Sequence, residues 1–354
     1  MGTLAMNDVN RKSDPRLLRR DAIHRLLEEA APQAEDSRVE PLIRSMIETC
    51  LGFADDGVEV QNLKLVDAAL AEIRAALTCF RAYPSERKVT TFGSARTRPD
   101  EPHYILARDF SRKIADAGFM VITGAGPGIM HACQEGAGRE RSFGVNIRLP
   151  FENSANEVIR GDSKLVEFKY FFTRKLFFIK ESSAVVLFPG GFGTHDESFE
   201  VLTLVQTGKT HMIPLVFLDA AGGTYWRTWD RYVRDHLLRR GLISPEDLSL
   251  YKVMEDPDAA AAEIVRFYRV YHSSRFMRKR LVVRTNVEVT DGVLTQLSEE
   301  FVDILAGKPI TKRGPYDEEA DEPRLLGLPR LVLHFDMKSY GRLRRLIDRL
   351  NEIG

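Results

Sequence analysis

The residues best equipped for chemistry stand together in Phe188-Pro189-Gly190-Gly191-Phe192-Gly193-Thr194-His195-Asp196-Glu197. An apolar run, Ala184 to Phe188, stops at three glycines and a threonine. Two carboxylates follow at once, on what reads as the first turn of a helix. Glycine lets a backbone bring bare N–H groups against a ligand, and a helix N-terminus attracts anions. A plain phosphate cradle has no need of Asp196 and Glu197. A phosphate site with a carboxylate beside it implies chemistry on a phosphorylated small molecule.

Two more glycine turns follow apolar runs: Phe92-Gly93-Ser94-Ala95-Arg96 and Thr123-Gly124-Ala125-Gly126-Pro127-Gly128-Ile129-Met130. One such turn often serves only tight packing. Three at one edge of a sheet are hard to read as scaffolding. The second turn is not a dinucleotide fingerprint, because Ile129 stands where G-x-G-x-x-G wants glycine. Further on, Val145-Asn146-Ile147 offers no acidic residue for a ribose diol. Gly208-Lys209-Thr210 echoes the end of a P-loop, but Thr203 occupies the place of its first glycine, inside an expected helix. Both NAD and a Walker-type ATP site are disfavoured.

Several other residues have a functional and an ordinary reading. Thr194 and Glu197 fit a capping box, with Thr194 as N-cap; the excess of glycine before them favours a ligand site. Glu200 falls on the same helix face as Glu197, where a dipole-favouring or solvated carboxylate is the plainer reading. In Phe168–Phe178 the adjacent Arg174 and Lys175 sit among aromatics, so one of them must lie near the core. A buried arginine needs a partner, and a carboxylate or phosphate suits its fork. His195 has no second histidine or cysteine at ligand spacing, so an exposed helix-start residue is expected rather than a metal ligand. His131 has equally good surface and ligand-facing readings. The clusters Arg275–Arg280 and Arg342–Arg349 read as solvated faces.

The elements that must position these residues follow from periodicity. From Asp14 to Ala82 the pattern is helical: Leu17, Leu18, Ile23, Leu26 and Leu27, then Leu42, Ile43, Met46, Ile47 and Leu51, then Leu63, Val66, Leu70, Ile73 and Leu77. Pro84-Ser85 marks a boundary. Strands are expected at Val89–Phe92, Phe119–Thr123, Phe143–Leu149, Ala184–Phe188 and Met212–Leu218. Helices are expected at Tyr104–Ala117, Ile129–Gly136, Thr173–Ser182, Thr194–Thr207, Tyr225–Leu238 and Pro257–Tyr271. Strands apolar on both faces and alternating with helices imply an α/β fold, a Rossmann-like doubly wound parallel sheet. Ligands in such folds bind at the carboxyl ends of the strands, where the glycine turns fall. The last part reads as a small α/β module: strand Leu281–Val289, helix Leu294–Leu305, acidic loop Tyr316–Pro323, strand Arg330–Phe335 and helix Tyr340–Asn351. The expected domains are a helical N-terminal region, 1–85, a catalytic domain, 86–272, and the C-terminal module, 273–354.

Composition narrows the partners. Lys plus Arg equals Asp plus Glu, 51 each, so nothing electrostatic points to nucleic acid or an anionic membrane. No apolar run approaches the roughly 20 residues that span a bilayer. The N-terminus has no apolar core or cleavage site of a secretory signal. Cys50, Cys79 and Cys133 lack metal-like spacing. A cytoplasmic protein is expected, with no cofactor and no metal.

Gly124-Ala125-Gly126-Pro127-Gly128-Ile129-Met130, Arg174-Lys175 and Pro189-Gly190-Gly191-x-Gly193-Thr194-x-x-Glu197, in this order, resemble the LOG ("lonely guy") family. These are cytokinin riboside 5′-monophosphate phosphoribohydrolases and related nucleotide nucleosidases. Phe92–Arg96 and Gly144-Val145-Asn146-Ile147-x-Leu149-Pro150 match its longer bacterial members. The resemblance runs from Lys88 to about His272. The family is often labelled "lysine decarboxylase", but no lysine stands in a suitable context for pyridoxal phosphate, and that label is rejected. The resemblance implies hydrolysis of the N-glycosidic bond of a nucleoside 5′-monophosphate, AMP-like or a cytokinin precursor, to free base and ribose 5-phosphate. It makes Arg174 and Glu197 the catalytic pair, with Arg174 holding the glutamate or the phosphate and keeping the carboxylate ionised. The substrate-binding set is Ser94, Gly126, Gly128, Met130, Lys175, Gly190, Gly191, Gly193, Thr194 and Glu200. Family sites form at a dimer interface, so a homodimer or higher homo-oligomer is implied. Two departures stand out: His195 takes a position often apolar in relatives, and Ala125 replaces a frequent glycine. The alternative is a non-catalytic nucleotide sensor on the same fold.

Overall fold

In the computed structural model, strand β1, Lys88–Phe92, is buried at every residue. The structure describes residues 22, 23, 25, 26, 38–148 and 155–353. Leu17, Leu18, Leu27, Leu149 and Pro150 of the sequence reading lie outside them. Strands β2 (Met120–Thr123), β3 (Ser142–Ile147), β4 (Leu165–Phe168), β5 (Ala184–Leu187), β6 (Leu215–Leu218) and β7 (Lys252–Met254) join β1 in one parallel sheet, ordered β4-β3-β2-β1-β5-β6-β7. The centre of the sheet is apolar on both faces because helices cover both. Two edge strands were not expected. Both are short, and neither is fully buried: β4 exposes Glu167, and β7 is half-buried throughout. Neither carries the continuous apolar run of an interior strand.

The chain divides into two compact units, residues 1–71 and 72–354. In the first, helix α1 runs Val39–Asp55 and buries no residue. Helix α2, Val60–Phe80, starts in the first unit and ends in the second. Within the second unit, Phe80 at the end of α2 stacks on Phe143 at 4.6 Å. Helix α3, Pro102–Asp116, starts with proline at its first position, where no N–H is needed. It buries Tyr104, Ala107, Phe110, Ser111 and Ile114, a stripe at helical spacing. Helix α4 (Ile129–Ala137) lies so close to α3 that a Cβ on Gly136 would sit 2.0 Å from Arg108 O.

Helices α5 (Phe171–Lys180), α6 (Phe192–Gln206), α7 (Tyr225–Tyr232) and α8 (Pro257–Phe267) complete the layers. The expected helix over Tyr225–Leu238 changes at Val233 into a π-turn, Val233–Leu238. The one expected at Pro257–Tyr271 stops at Phe267, because Tyr271 opens a strand of the second sheet.

That second sheet is antiparallel, ordered β10-β11-β9-β8: β8 (Tyr271–Met277), β9 (Arg280–Thr285), β10 (Thr311–Lys312) and β11 (Arg330–Leu333). Helix α9 is Asp291–Glu300 and helix α10 is Tyr340–Ile353. Asn351 of α10 accepts from the Val270 and Tyr271 N–H groups and donates to Phe267 O at 2.6 Å, joining α10 to the end of α8. The basic clusters are solvated faces only in part: Arg278, Lys279, Arg280 and Arg345 are exposed, but other members are paired. Arg275 pairs with Asp321 and Glu322, and Arg344, 1% exposed, pairs with Glu263 and Asp348. The acidic loop owes its place to the same pairing. Glu319 is fully buried and holds Arg284 at 2.6 Å and Arg330 at 3.0 Å.

Candidate active site

Sheet order reverses at β1, with β2 on one side and β5 on the other. A doubly wound sheet opens its ligand crevice at such a switch point. The three glycine turns leave β1, β2 and β5 there, and Ser94 stitches them together. Its N–H donates to Pro189 O at 3.1 Å, and its carbonyl accepts from Ile129 N–H at 3.0 Å. Gly128, at φ 66°, would carry a Cβ 2.3 Å from Ser94 O, so only glycine lets these two backbones cross. Ala125 also holds a positive φ, 60°, which costs a non-glycine residue about 1–2 kcal/mol.

A cavity of 740 Å³ lies over these turns. Of the expected residues, Ser94, Met130, Arg174, Gly190, Gly191, Gly193, Thr194 and Glu197 line it. Gly126 and Gly128 support it from behind: a Cβ on Gly126 would meet Met130 Cε at 2.6 Å. Lys175 and Glu200 do not face it; they border a neighbouring cavity of 560 Å³. Lys175 Nζ lies 2.6 Å from Asp196 and 2.9 Å from Glu200. Burial alone would lower its pKa, but hydrogen bonds to both carboxylates outweigh that and raise it.

Helix α6 begins two residues before the expected start, with Gly191 as its N-cap and no side-chain cap. Thr194 is therefore the third helical residue, and the expected capping box does not form. A Cβ on Gly190 would lie 2.1 Å from Thr194 Oγ1, so the hydroxyl packs on the glycine turn. The N–H groups of Gly191, Phe192, Gly193 and Thr194 have no partner among the described residues. Four successive donors at the start of a helix form an anion site.

Glu197, one turn into α6, is 7% exposed, and its Oε2 is buried with no hydrogen-bond partner. Burial pushes its pKa up to about 7; Lys175 opposes this, Glu200 adds to it, and Arg174 opposes it at longer range. The expectation that Arg174 keeps this carboxylate ionised is thus reversed by desolvation. Arg174 donates from Nε to Val145 O at 2.9 Å and lies 5.0 Å over the Phe178 ring. A Cβ on Gly124 would meet its Nη2 at 2.3 Å, so that glycine makes room for the guanidinium.

Sequence reasoning missed three residues that shape this site. Glu72 accepts from Lys169 N–H at 2.8 Å and from the Thr173 hydroxyl at 2.5 Å, which seats the start of α5 beneath Arg174. Arg96 lines the cavity as an exposed cation. Tyr225, on α7, donates to Gly190 O at 2.5 Å and meets His195 Nε2 at 2.7 Å. A glycine-rich turn followed by arginine was a usable signal for Arg96. Nothing local pointed to Glu72 or Tyr225. His195 is half-buried against Tyr225 rather than exposed. Among the described residues, no group of three or more histidine, cysteine and carboxylate side chains is arranged to hold a metal ion. No helix of the described residues is long and apolar enough to cross a membrane.

Residues 129–264 match a family model described as "Possible lysine decarboxylase". A decarboxylase of that kind needs a lysine with a free neutral amine for its aldehyde cofactor. Lys175, the nearest candidate, is held as an ammonium by two carboxylates and faces the neighbouring cavity, so the residues do not fit that group. The cytokinin riboside 5′-monophosphate phosphoribohydrolase of Rhodococcoides fascians is 28% identical over 198 residues, covering 55% of this chain and 98% of that protein. Among solved structures, a structural-genomics target is 20% identical with a TM-score of 0.37, over 51% of this chain and 99% of that one. The molybdenum cofactor carrier protein of Chlamydomonas reinhardtii is 18% identical with a TM-score of 0.34, over 51% and 97%. The family-model match and the Rhodococcoides fascians relative both support membership of the LOG family, in keeping with the resemblance carried by the glycine turns, Arg174 and Glu197.

Proposed function

We propose that this chain hydrolyses the N-glycosidic bond of nucleoside 5′-monophosphates, releasing free base and ribose 5-phosphate. The observation that carries this is Glu197: a buried carboxyl with an unpartnered oxygen and a pKa near neutrality, one helical turn from four free N–H donors. Those donors and Arg96 suit a phosphate dianion. Loss of the base builds positive charge on the ribose ring, as in glycoside hydrolysis. A carboxylate fixed beneath the ring offsets that charge and takes a proton from the attacking water. The water adds at the anomeric carbon, and the bond to the base nitrogen breaks with its electron pair leaving on the base. Phosphate binding at a distance holds the ring in place for this step.

The substrates are purine 5′-monophosphates such as AMP, with cytokinin riboside monophosphates as further candidates in view of the Rhodococcoides fascians relative. Incubation with AMP, GMP, CMP, UMP and isopentenyladenosine monophosphate, with free base quantified, tests this. Tight nucleotide binding with no base released would favour the alternative, a nucleotide sensor. Arg96→Ala is expected to raise KM for AMP about tenfold, the value of one charge-assisted contact, with kcat little changed. An unaltered KM would remove Arg96 from phosphate recognition.

A second copy of the chain is the proposed partner. Phe192 is 96% exposed at the mouth of the cavity with half-exposed Phe171 also lining it, and Phe172 and Leu176 of α5, about half exposed, border the neighbouring cavity. Large apolar side chains grouped around a site mark a surface that another protein covers. Phe192→Asp is expected to shift the chain toward monomer in sedimentation velocity and to lower activity with it. A variant that sediments like the parent would place the interface elsewhere.

A further inference from the structure

The Pro189–Gly191 turn contains a glycine–glycine peptide, the linkage most free to flip. Its carbonyl, Gly190 O, is held by the Tyr225 hydroxyl at 2.5 Å. A phenol has one proton, and Tyr225 gives it to Gly190. Its 2.7 Å contact with His195 Nε2 is therefore accepted from an Nε2–H, which sets the imidazole tautomer. Tyr225 is itself well seated. The N–H of its neighbour Trp226 donates to Asp219, a carboxylate 1% exposed that also meets His103 Nε2 at 2.8 Å.

No cis peptide occurs among the described residues. In a trans peptide the carbonyl and the following N–H point in opposite directions. With Gly190 O anchored on the α7 side, the Gly191 N–H must point away from α7. That N–H is the first of the four unpartnered donors of α6. We infer that Tyr225, seated by His195, is a positioning residue that pre-sets the Gly191 N–H for the 5′-phosphate. This rests on the proposed function and adds to it a reason for phosphate selectivity: the donor is oriented before the ligand arrives.

The test uses the full chain and three titrations: ribose 5-phosphate and adenosine for affinity, and AMP for kcat and KM. Tyr225→Phe frees the peptide to flip. Its Kd for ribose 5-phosphate and its KM for AMP should both rise about tenfold, the value of one hydrogen bond to a charged group. Affinity for adenosine, which has no phosphate, and kcat should stay within about twofold of the parent, since the other hydrogen bond removed, that with His195 Nε2, does not reach the base or the ribose. Flipping this peptide would carry Gly191 from its φ of −88° to a positive value, which alanine resists. A Cβ on Gly191 meets nothing within 4 Å. Gly191→Ala added to Tyr225→Phe should therefore restore most of the lost ribose 5-phosphate affinity, which a loss of packing would not allow. Equal losses for adenosine and ribose 5-phosphate, or no rescue, would overturn the inference. Should Tyr225→Phe fail to fold, His195→Leu unseats the phenol, and an unchanged Kd for ribose 5-phosphate would be equally fatal. If the parent chain neither binds ribose 5-phosphate nor releases base from any nucleotide, the proposed function fails first, and that outcome is distinct from all of these.

Discussion

Glu197→Gln is expected to cut kcat on AMP by about 10²–10⁴-fold, the usual worth of a positioned acid–base group, while KM stays near the parent value. The amide keeps the shape of the side chain but neither offsets charge on the ribose nor accepts a proton. Retained turnover would remove Glu197 from the chemistry. The pH profile gives an independent check. The carboxylate is the working form and its pKa lies at about 7, so kcat/KM should climb as pH rises through neutrality. A rate flat from pH 5 to 8 would contradict this. Stability should move the other way. The folded-state pKa is raised above the ordinary glutamate value of 4.5, so the native state favours the neutral form. That preference is fully satisfied below about pH 4.5 and is lost as pH rises through 7. Glu197→Gln removes the cost of ionising a buried group, so the variant should be more stable than the parent at pH 8, by on the order of 2–3 kcal/mol, and equal to it near pH 4. An enzyme that keeps a desolvated carboxylate for its chemistry gives up stability to do so.

Glu319→Ala is expected to lower the unfolding free energy by about 3–5 kcal/mol, the cost of leaving buried cations without their carboxylate. Arg284 and Arg330 are both 1% exposed at the side chain, and Glu319 is fully buried between them. Arg284 keeps Glu322 at 2.6 Å, but Arg330 is left with backbone carbonyls of Leu325, Leu326 and Leu328. Denaturant midpoints measure the loss. Glu318→Ala, on the exposed neighbour, serves as the control and should change stability by less than about 0.5 kcal/mol. A loss at Glu319 no larger than the control's would mean that the buried cluster contributes nothing. Burial would raise the Glu319 pKa, yet the Tyr316 N–H and hydrogen bonds from Arg330 and Arg284 together hold it below the ordinary value. Its contribution is therefore present above about pH 4.5 and disappears as pH falls through the lower folded-state pKa.

The central layers of the fold were legible because they obey local rules. Interior strands read as apolar runs ending in glycine, and α3 shows its buried stripe directly. The edge strands β4 and β7 of the first sheet and β8 and β10 of the second were not legible, since half-exposed strands share their composition with loops. The capping box at Thr194 and Glu197 matched its pattern and still failed. Helix α6 starts at Phe192, after a turn that Ser94 holds by donating its N–H to Pro189 O, and no window of local sequence contains that contact. The arginine clusters misled for a related reason: charge density says nothing about burial. Arg344 is drawn inward by Glu263, 81 residues away.

By itself, the sequence determined which residues were available for chemistry and in what order: three glycine turns, Arg174, and a glutamate at the start of a helix. These depend on backbone freedom and residue type, which are local properties. Only the tertiary structure decided how those residues behave. It buried Glu197 and so moved its pKa to about 7, turned Lys175 and Glu200 away to a neighbouring cavity, and brought Tyr225 from the next helix onto Gly190. Desolvation and hydrogen-bond geometry are set by atoms far apart in the chain, so no reading of neighbouring residues reaches them.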